Sequence, residues 1–338
     1  MINTSLSHKL GAFVPNLYKL KKTITMKLKL LTVISIIMLL GCTKEEDKPS
    51  FIFDSYSYLT HNSVLVKFKN TNDANEFPTG VRLSGRVKFS NDTVNYFNAI
   101  FSPIEMKYSV MLFDLLPDTK YTISFYYGHK FPSSMLFTFK TSKVEYFTDT
   151  RDGSIYPIGK IGNQWWLLEN LNYHTSGTSG LPDSLLVGKY YTWEDAKLSC
   201  PQGWHLPSDE EWIELERYIG VQENVLHVTS QKRGLNEAMK LLTPTSFTLY
   251  NGLLDNSIVN ELGYSLKACG YMPENRQKEM PQGFGMDGYY WSSSEFSATD
   301  AIYHGTAYKA YTGHVDSVFS VRLYMNKQNK MNIRCVKE

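Results

Sequence analysis

No His-Glu-x-x-His helix, Walker phosphate loop, nucleophile elbow or dinucleotide-binding fingerprint with its flanking strand and helix occurs in the 338 residues. Metalloprotease, nucleoside-triphosphate, serine-hydrolase and Rossmann-type chemistries therefore have no carrier, and no catalytic residue or cofactor is assigned. The calcium-dependent sugar tripeptides Glu-Pro-Asn and Trp-Asn-Asp are missing as well; Pro273-Glu274-Asn275 has a different order. His304 and His314 are spaced too loosely to identify a zinc site, so no metal is assigned. With 42% hydrophobic and only 20% charged residues, disorder, collagen and a multi-span membrane protein are excluded.

What is present is aromatic: 14% of the chain, with 23 Tyr, a bias toward β structure and extracellular surfaces. The length suits two domains of ordinary size. From Met26 the chain reads Lys27-Leu28-Lys29, an apolar run over 30–40, then Gly41-Cys42. A basic start, an apolar stretch well short of the roughly 20 residues that span a bilayer, and a small residue before the cut make a signal peptide over 1–41. Met26 is an alternative initiator. Leu39-Leu40-Gly41-Cys42 resembles the bacterial lipobox, which implies a diacylglycerol on the Cys42 sulfur. Acyl chains contribute roughly 0.8 kcal/mol per buried methylene, so three of them anchor the protein in a membrane. Residues 42–50 form a polar tether, and Lys44-Glu45-Glu46 resembles the acidic export signal of bacterial surface lipoproteins. An outer-membrane protein facing the cell exterior is expected. Removing the six lysines before Cys42 from 35 bases leaves 29 against 33 acids, a net charge of −4. A mildly acidic mature chain gives no reason to expect nucleic acid as a partner.

Residues 51–143 alternate with period two: Val64, Val66 and Phe68; Tyr121, Ile123, Phe125 and Tyr127; Phe137 and Phe139. Leu115-Leu116-Pro117-Asp118-Thr119-Lys120-Tyr121 resembles the Leu-x-Pro-x-Thr-x-Tyr corner of fibronectin type III domains. That resemblance implies an all-β sandwich in which the buried Tyr121 hydroxyl returns to the backbone just upstream. The segment contains no Cys, so packing alone must hold it, and it reads as a spacer. The join around Thr141 to Glu145 has no Pro or Gly run, so a short stiff junction is expected.

Residues 144–338 carry most of the specific signal. Asp152-Gly153 and Gly162-Asn163 suit tight turns. Thr192 with Asp195, and Ser208 with Glu211, start two helices; the second puts Trp212, Leu215 and Ile219 on one face and stops at Gly220. Asp209, Glu210 and Glu211 invite metal or acid chemistry, but a helix's first turn favours acids through its dipole, which suffices to explain them. His205 beside Trp204 reads as a fold residue. The stretches Ile161 to Leu171, Cys200-Pro201-Gln202-Gly203-Trp204-His205-Leu206-Pro207, Gly288-Tyr289-Tyr290-Trp291-Ser292-Ser293-Ser294-Glu295 and Asn332-Ile333-Arg334-Cys335-Val336-Lys337 resemble, in order, the Fibrobacter succinogenes major paralogous domain. The resemblance implies an α+β C-type lectin-like fold, related to formylglycine-generating enzymes, over 144–338. It implies no settled activity. One departure is Lys267-Ala268-Cys269-Gly270-Tyr271, where relatives read Leu-Pro-Gly-Gly-Tyr.

An oxidising envelope favours pairing two of the three cysteines left after Cys42. Cys200 and Cys335 sit in the family's helix-end and final-strand motifs, which implies that they are the bonded pair. Cys269 then remains single, a small buried hydrophobe or a reactive thiol. Tyr303, Tyr308, Tyr311 and His314 lie among Gly, Ser and Thr, where aromatic rings can stack on sugar or anchor a protein. In a lectin-like fold they can equally be half-buried strand positions. Tyr308 and Tyr311 read as an exposed hairpin. Three functions stand: a surface lipoprotein binding glycan or another macromolecule without catalysis, a structural adhesin or pilus-tip subunit, and a formylglycine-generating-type enzyme.

Overall fold

Alternation becomes strand in the described part of the first stretch. In a computed structural model of the chain, seven strands run β1 (Phe51–Ser57), β2 (Val64–Asn70), β3 (Leu83–Lys88), β4 (Val94–Ser102), β5 (Lys107–Leu112), β6 (Lys120–Phe125) and β7 (Leu136–Lys140). The structure describes residues 51–57, 59–70, 83–88, 94–102, 107–112, 115–125, 136–180, 187–243, 260–275, 280–311 and 314–338. The signal peptide, Cys42, its tether and Tyr127 lie outside them.

The strand order is β1-β2-β5-β4-β3-β6-β7, all antiparallel. Residues 94–99 of β4 pair with β3, and residues 100–102 pair with β5, so β4 passes from one group of strands to the other. The two ends of the order meet: Phe53 of β1 stacks on Phe137 of β7 at 3.8 Å between centroids. Val64, Val66, Phe68, Val110, Leu112, Tyr121, Ile123 and Phe139 are all buried. The Pro117-Asp118 turn, with Asp118 at φ 52°, brings the chain back so that Leu116 N–H donates to the Tyr121 hydroxyl at 2.6 Å. A buried phenol thereby gains the partner it needs.

The remaining strands are β8 (Glu145–Thr148), β9 (Ile155–Ile161), β10 (Gln164–Leu167), β11 (Ser179–Gly180), β12 (Lys189–Tyr190), β13 (Trp204–His205), β14 (Ser230–Arg233), β15 (Gly288–Glu295), β16 (Asp300–Tyr311), β17 (His314–Asn326) and β18 (Val336–Lys337). They make a five-stranded sheet β13-β18-β10-β9-β8, a four-stranded sheet β14-β17-β16-β15, and the β11-β12 pair. Gly153 at φ 77° and Gly162 at φ 59° turn the chain between β8, β9 and β10, where a Cβ would be strained. The helices are α1 (Trp193–Ser199), α2 (Asp209–Ile219) and α3 (Glu223–Leu226). Thr192 accepts the Asp195 N–H to cap α1. Ser208 and Glu211 form the full capping box of α2, and Gly220 in the left-handed region ends it.

Trp212, Leu215 and Ile219 of α2 bury one face against Trp166, Leu242, Tyr264 and Tyr290. A second cluster gathers Leu167, Tyr191, Trp193, Trp204, Trp291 and Cys335. Cys200, capping α1, is bonded to Cys335, just before β18, at a sequence separation of 135. The molecule is thus mostly β, with few helices.

The join is fastened on both sides. Thr141 Oγ1 donates to the Leu116 carbonyl at 2.6 Å, Ser142 N–H to the Thr60 carbonyl at 3.0 Å, and Val144 packs against the α2 core. Asn62 Nδ2 donates to Ser265 Oγ at 2.8 Å. Residues 51–338 form one compact unit.

Candidate functional site

Helix α2 carries two acids on its buried face. Arg233 of β14 grips Glu216 with two hydrogen bonds of 2.6 and 2.7 Å, and Arg322 of β17 grips Asp209 at 2.6 and 2.8 Å. His304 of β16 lies between them, Nε2 at 2.7 Å from Asp209 Oδ1 and Nδ1 at 3.0 Å from Glu216 Oε1. Ionised carboxylates only accept, so both contacts together require a proton on each ring nitrogen. The imidazole also stacks on Trp212, 7° from parallel. Burial by itself would raise both acids, but the hydrogen bonds and positive charge of His304 with Arg322 hold Asp209 below the carboxylate range, and those of His304 with Arg233 lower Glu216. Every carboxylate oxygen in the cluster is engaged. It is a clasp between α2 and the four-stranded sheet.

The dipole explanation of the 209–211 acids is therefore incomplete. Glu210 is exposed, and Glu211 serves the cap and meets His205 Nε2 at 2.8 Å, whereas Asp209 is an ion-pair anchor. The missed signal was positional. Asp209 and Glu216 are seven apart, on the same helical stripe as Trp212 and Ile219, where only paired acids can stay.

The exposed aromatic site lies on the same sheet, with Tyr324 two residues beyond Arg322 on β17. Phe296, in the connection from β15 to β16, stacks on Tyr324 of β17 with centroids 3.8 Å apart and planes 3° apart. The two are 51% and 45% exposed, a large apolar area that the fold leaves in water. The connection is held firmly. Lys327 Nζ donates to the carbonyls of Ser297 and Ala298 at 3.0 and 2.9 Å, pairs with Glu295, and lies over the Trp193 ring. Asp300 Oδ2 accepts from Ser297 and Thr299. A rigid aromatic face ringed by hydroxyls and a carboxylate results, and rigidity reduces the entropy lost when a ligand docks.

The residues predicted to bind fare differently. Tyr303 is 2% exposed and packs edge-on against Tyr289 and Trp291, so it is a core residue and offers no ring face. Its position on β16 opposite Leu323 turns it inward. Tyr308, Tyr311 and His314 do lie on a hairpin, with Tyr308 opposite Val318 and Tyr311 opposite His314, but their side chains lie outside the described residues. Cys269 is fully buried, accepts from Asn170 Nδ2 at 3.5 Å, and burial pushes its thiol up to about 12, which favours the hydrophobe reading over the reactive one. The spacing Gly283-x-Gly285-x-x-Gly288 occurs, yet it leads into β15 and not into a helix N-terminus, so it forms no dinucleotide cradle. Among the described residues no group of three or more His, Cys, Asp or Glu is arranged to hold a metal ion.

Comparison with curated proteins returns no match. Among solved structures, the sensor domain of the anti-sigma factor RsgI4 from Pseudobacteroides cellulosolvens aligns with 21% identity over 32% of this chain and 85% of its own, at a TM-score of 0.24. Yersinia pseudotuberculosis adhesin InvE aligns with 10% identity over 80% of this chain and 69% of its own, at a TM-score of 0.23. Both scores are too low to indicate a shared fold. The family comparison is of another kind, since the model of the Fibrobacter succinogenes major domain matches residues 160–337 and so takes in the two capped helices, the disulfide, the α2 clasp and the aromatic face. With more than half of its residues matched, the chain belongs to the Fibrobacter succinogenes major domain family.

Proposed function

We propose that the protein is a lipid-anchored outer-membrane protein facing the cell exterior, whose C-terminal region binds glycan or another extracellular macromolecule without catalysing a reaction. In this reading Cys42 carries the lipid, residues 43–50 are the tether, 51–143 a fibronectin III-like spacer, and 144–338 a C-type lectin-like head. The shared β4 and the Tyr121 hydroxyl bonded to Leu116 support the spacer assignment. Engagement of the buried acids with cations, the Cys200–Cys335 bond and the buried Cys269 support binding over a redox-cysteine enzyme.

The observation that carries the reading is the exposed Phe296–Tyr324 stack on its lysine-fixed connection. With purified residues 42–338 on glycan arrays and outer-surface extracts, Phe296→Ala and Tyr324→Ala are each expected to weaken binding at least about tenfold, as central aromatic contacts do. Their melting temperatures should stay close to the parent's, because both rings are half exposed. Parent-level binding in both variants would remove the platform, and no binding by the parent to any glycan or extract would remove the function. The anchor has its own test. Cys42→Ser should move the protein from the membrane fraction into the soluble one, and a free thiol at position 42 in the parent would overturn the anchoring.

A further inference from the structure

A recess lies where the β1–β2 loop meets the segment after residue 260. It is a cleft of about 420 Å³, within the size range of small-ligand pockets, and such pockets favour junctions between modules. His61 lines it. The residue is only 8% exposed, its ring rests against Gly263, and among the described residues neither ring nitrogen has a hydrogen-bond partner. Its ring nitrogens keep solvent contact, so a molecule lodged in the cleft can reach them. Trp165, half-buried, gives the cleft a flat indole wall. At the rim stand Lys143 and Lys160 with Glu145 and Glu261, two charges of each sign, none of them in an ion pair among the described residues.

Beside the cleft, the β1–β2 loop is tied to the segment after residue 260. Asn62 is tied to Ser265 Oγ and Asn260 Nδ2, and Asn260 Oδ1 accepts the Ser265 N–H at 2.9 Å. Asn260 and Ser265 both have positive φ, 43° and 54°. Burial lowers the pKa of His61, offset in part by Glu169, so near neutral pH the imidazole offers one N–H and one lone pair.

We propose that this cleft binds a small uncharged polyhydroxyl molecule of monosaccharide or disaccharide size, at a site separate from the Phe296–Tyr324 face. The C–H face of a sugar ring lies on Trp165. Its hydroxyls both donate to and accept from His61, and the unpaired rim charges supply further hydrogen bonds. Because those charges balance, a charged ligand gains no net attraction.

The test uses residues 42–338 and a panel of neutral sugars, namely glucose, galactose, N-acetylglucosamine, cellobiose and lactose, with glucuronate and glucosamine as charged controls. Binding is followed by Trp fluorescence and by the His61 ring signals in NMR. At least one neutral sugar should saturate and shift the His61 signals. Trp165→Ala should weaken it tenfold or more, and His61→Gln should weaken it while keeping the fold. Phe296→Ala should leave it unchanged, which separates this site from the proposed glycan face. No saturable binding of any neutral sugar, preference for a charged control, or binding unaffected by Trp165→Ala would each overturn the proposal.

Discussion

Glu216→Gln is expected to destabilise the protein by about 3–5 kcal/mol, the usual result of removing one partner from a buried ion pair. The side chains of Arg233 and His304 are fully enclosed and that of Glu216 is 5% exposed, so the variant leaves cations facing a neutral amide with no water to take its place. Urea unfolding of residues 42–338 measures the loss. A change below about 1 kcal/mol would mean that the clasp is not closed in solution. The pH dependence has a definite sign. Asp209 and Glu216 are lowered in the folded state, so the unfolded chain binds more protons in acid. Their contribution is present above the ordinary values of 3.8 and 4.5 and is lost as pH falls below them. Glu216→Gln should accordingly flatten the acid limb of the stability profile.

The second large effect concerns the disulfide. A double substitution of Cys200 and Cys335 by Ser is expected to cost about 4–5 kcal/mol, because the bond closes a loop of 135 residues in the unfolded chain. The double variant is the right probe, since a single one leaves a thiol free to mispair. Tm should fall by roughly 10–20 °C, taking about 2–4 °C per kcal/mol for a unit of this size. Intact mass before and after reduction verifies the bond, and labelling of native protein should find no reactive thiol at Cys269. A loss of less than 1 kcal/mol, or labelling of Cys200 or Cys335 without reduction, would contradict this account. The clasp and the bond share no partner residue, so their effects should add when combined.

Much of the local structure was legible because its causes are local. Ser208 and Glu211 are three residues apart, Pro117 to Tyr121 is a single corner, and Gly153 and Gly162 are isolated turn positions. The Cys200–Cys335 pairing was legible only through the family motifs. Tyr303 was misplaced because alternation gives two faces to a strand without saying which one is inward. The clasp escaped notice because its members are numbered 209, 216, 233, 304 and 322 and meet only after α2 docks on three strands. Its one sequence trace was a pair of acids within an apolar stripe.

The sequence alone determined the family, the helix starts, the alternating strands and the balance of aromatic over charged residues, since each depends on neighbours within a few positions or on ordered motifs. Only the tertiary structure decided which aromatic rings remain in water and which acids acquire partners. Phe296 reaches Tyr324 because the β15, β16 and β17 registers bring them together, and His61 reaches Gly263 because Asn62 is tied to Ser265. Burial and charge pairing are properties of groups distant along the chain, and they exist only once the strands and helices have packed.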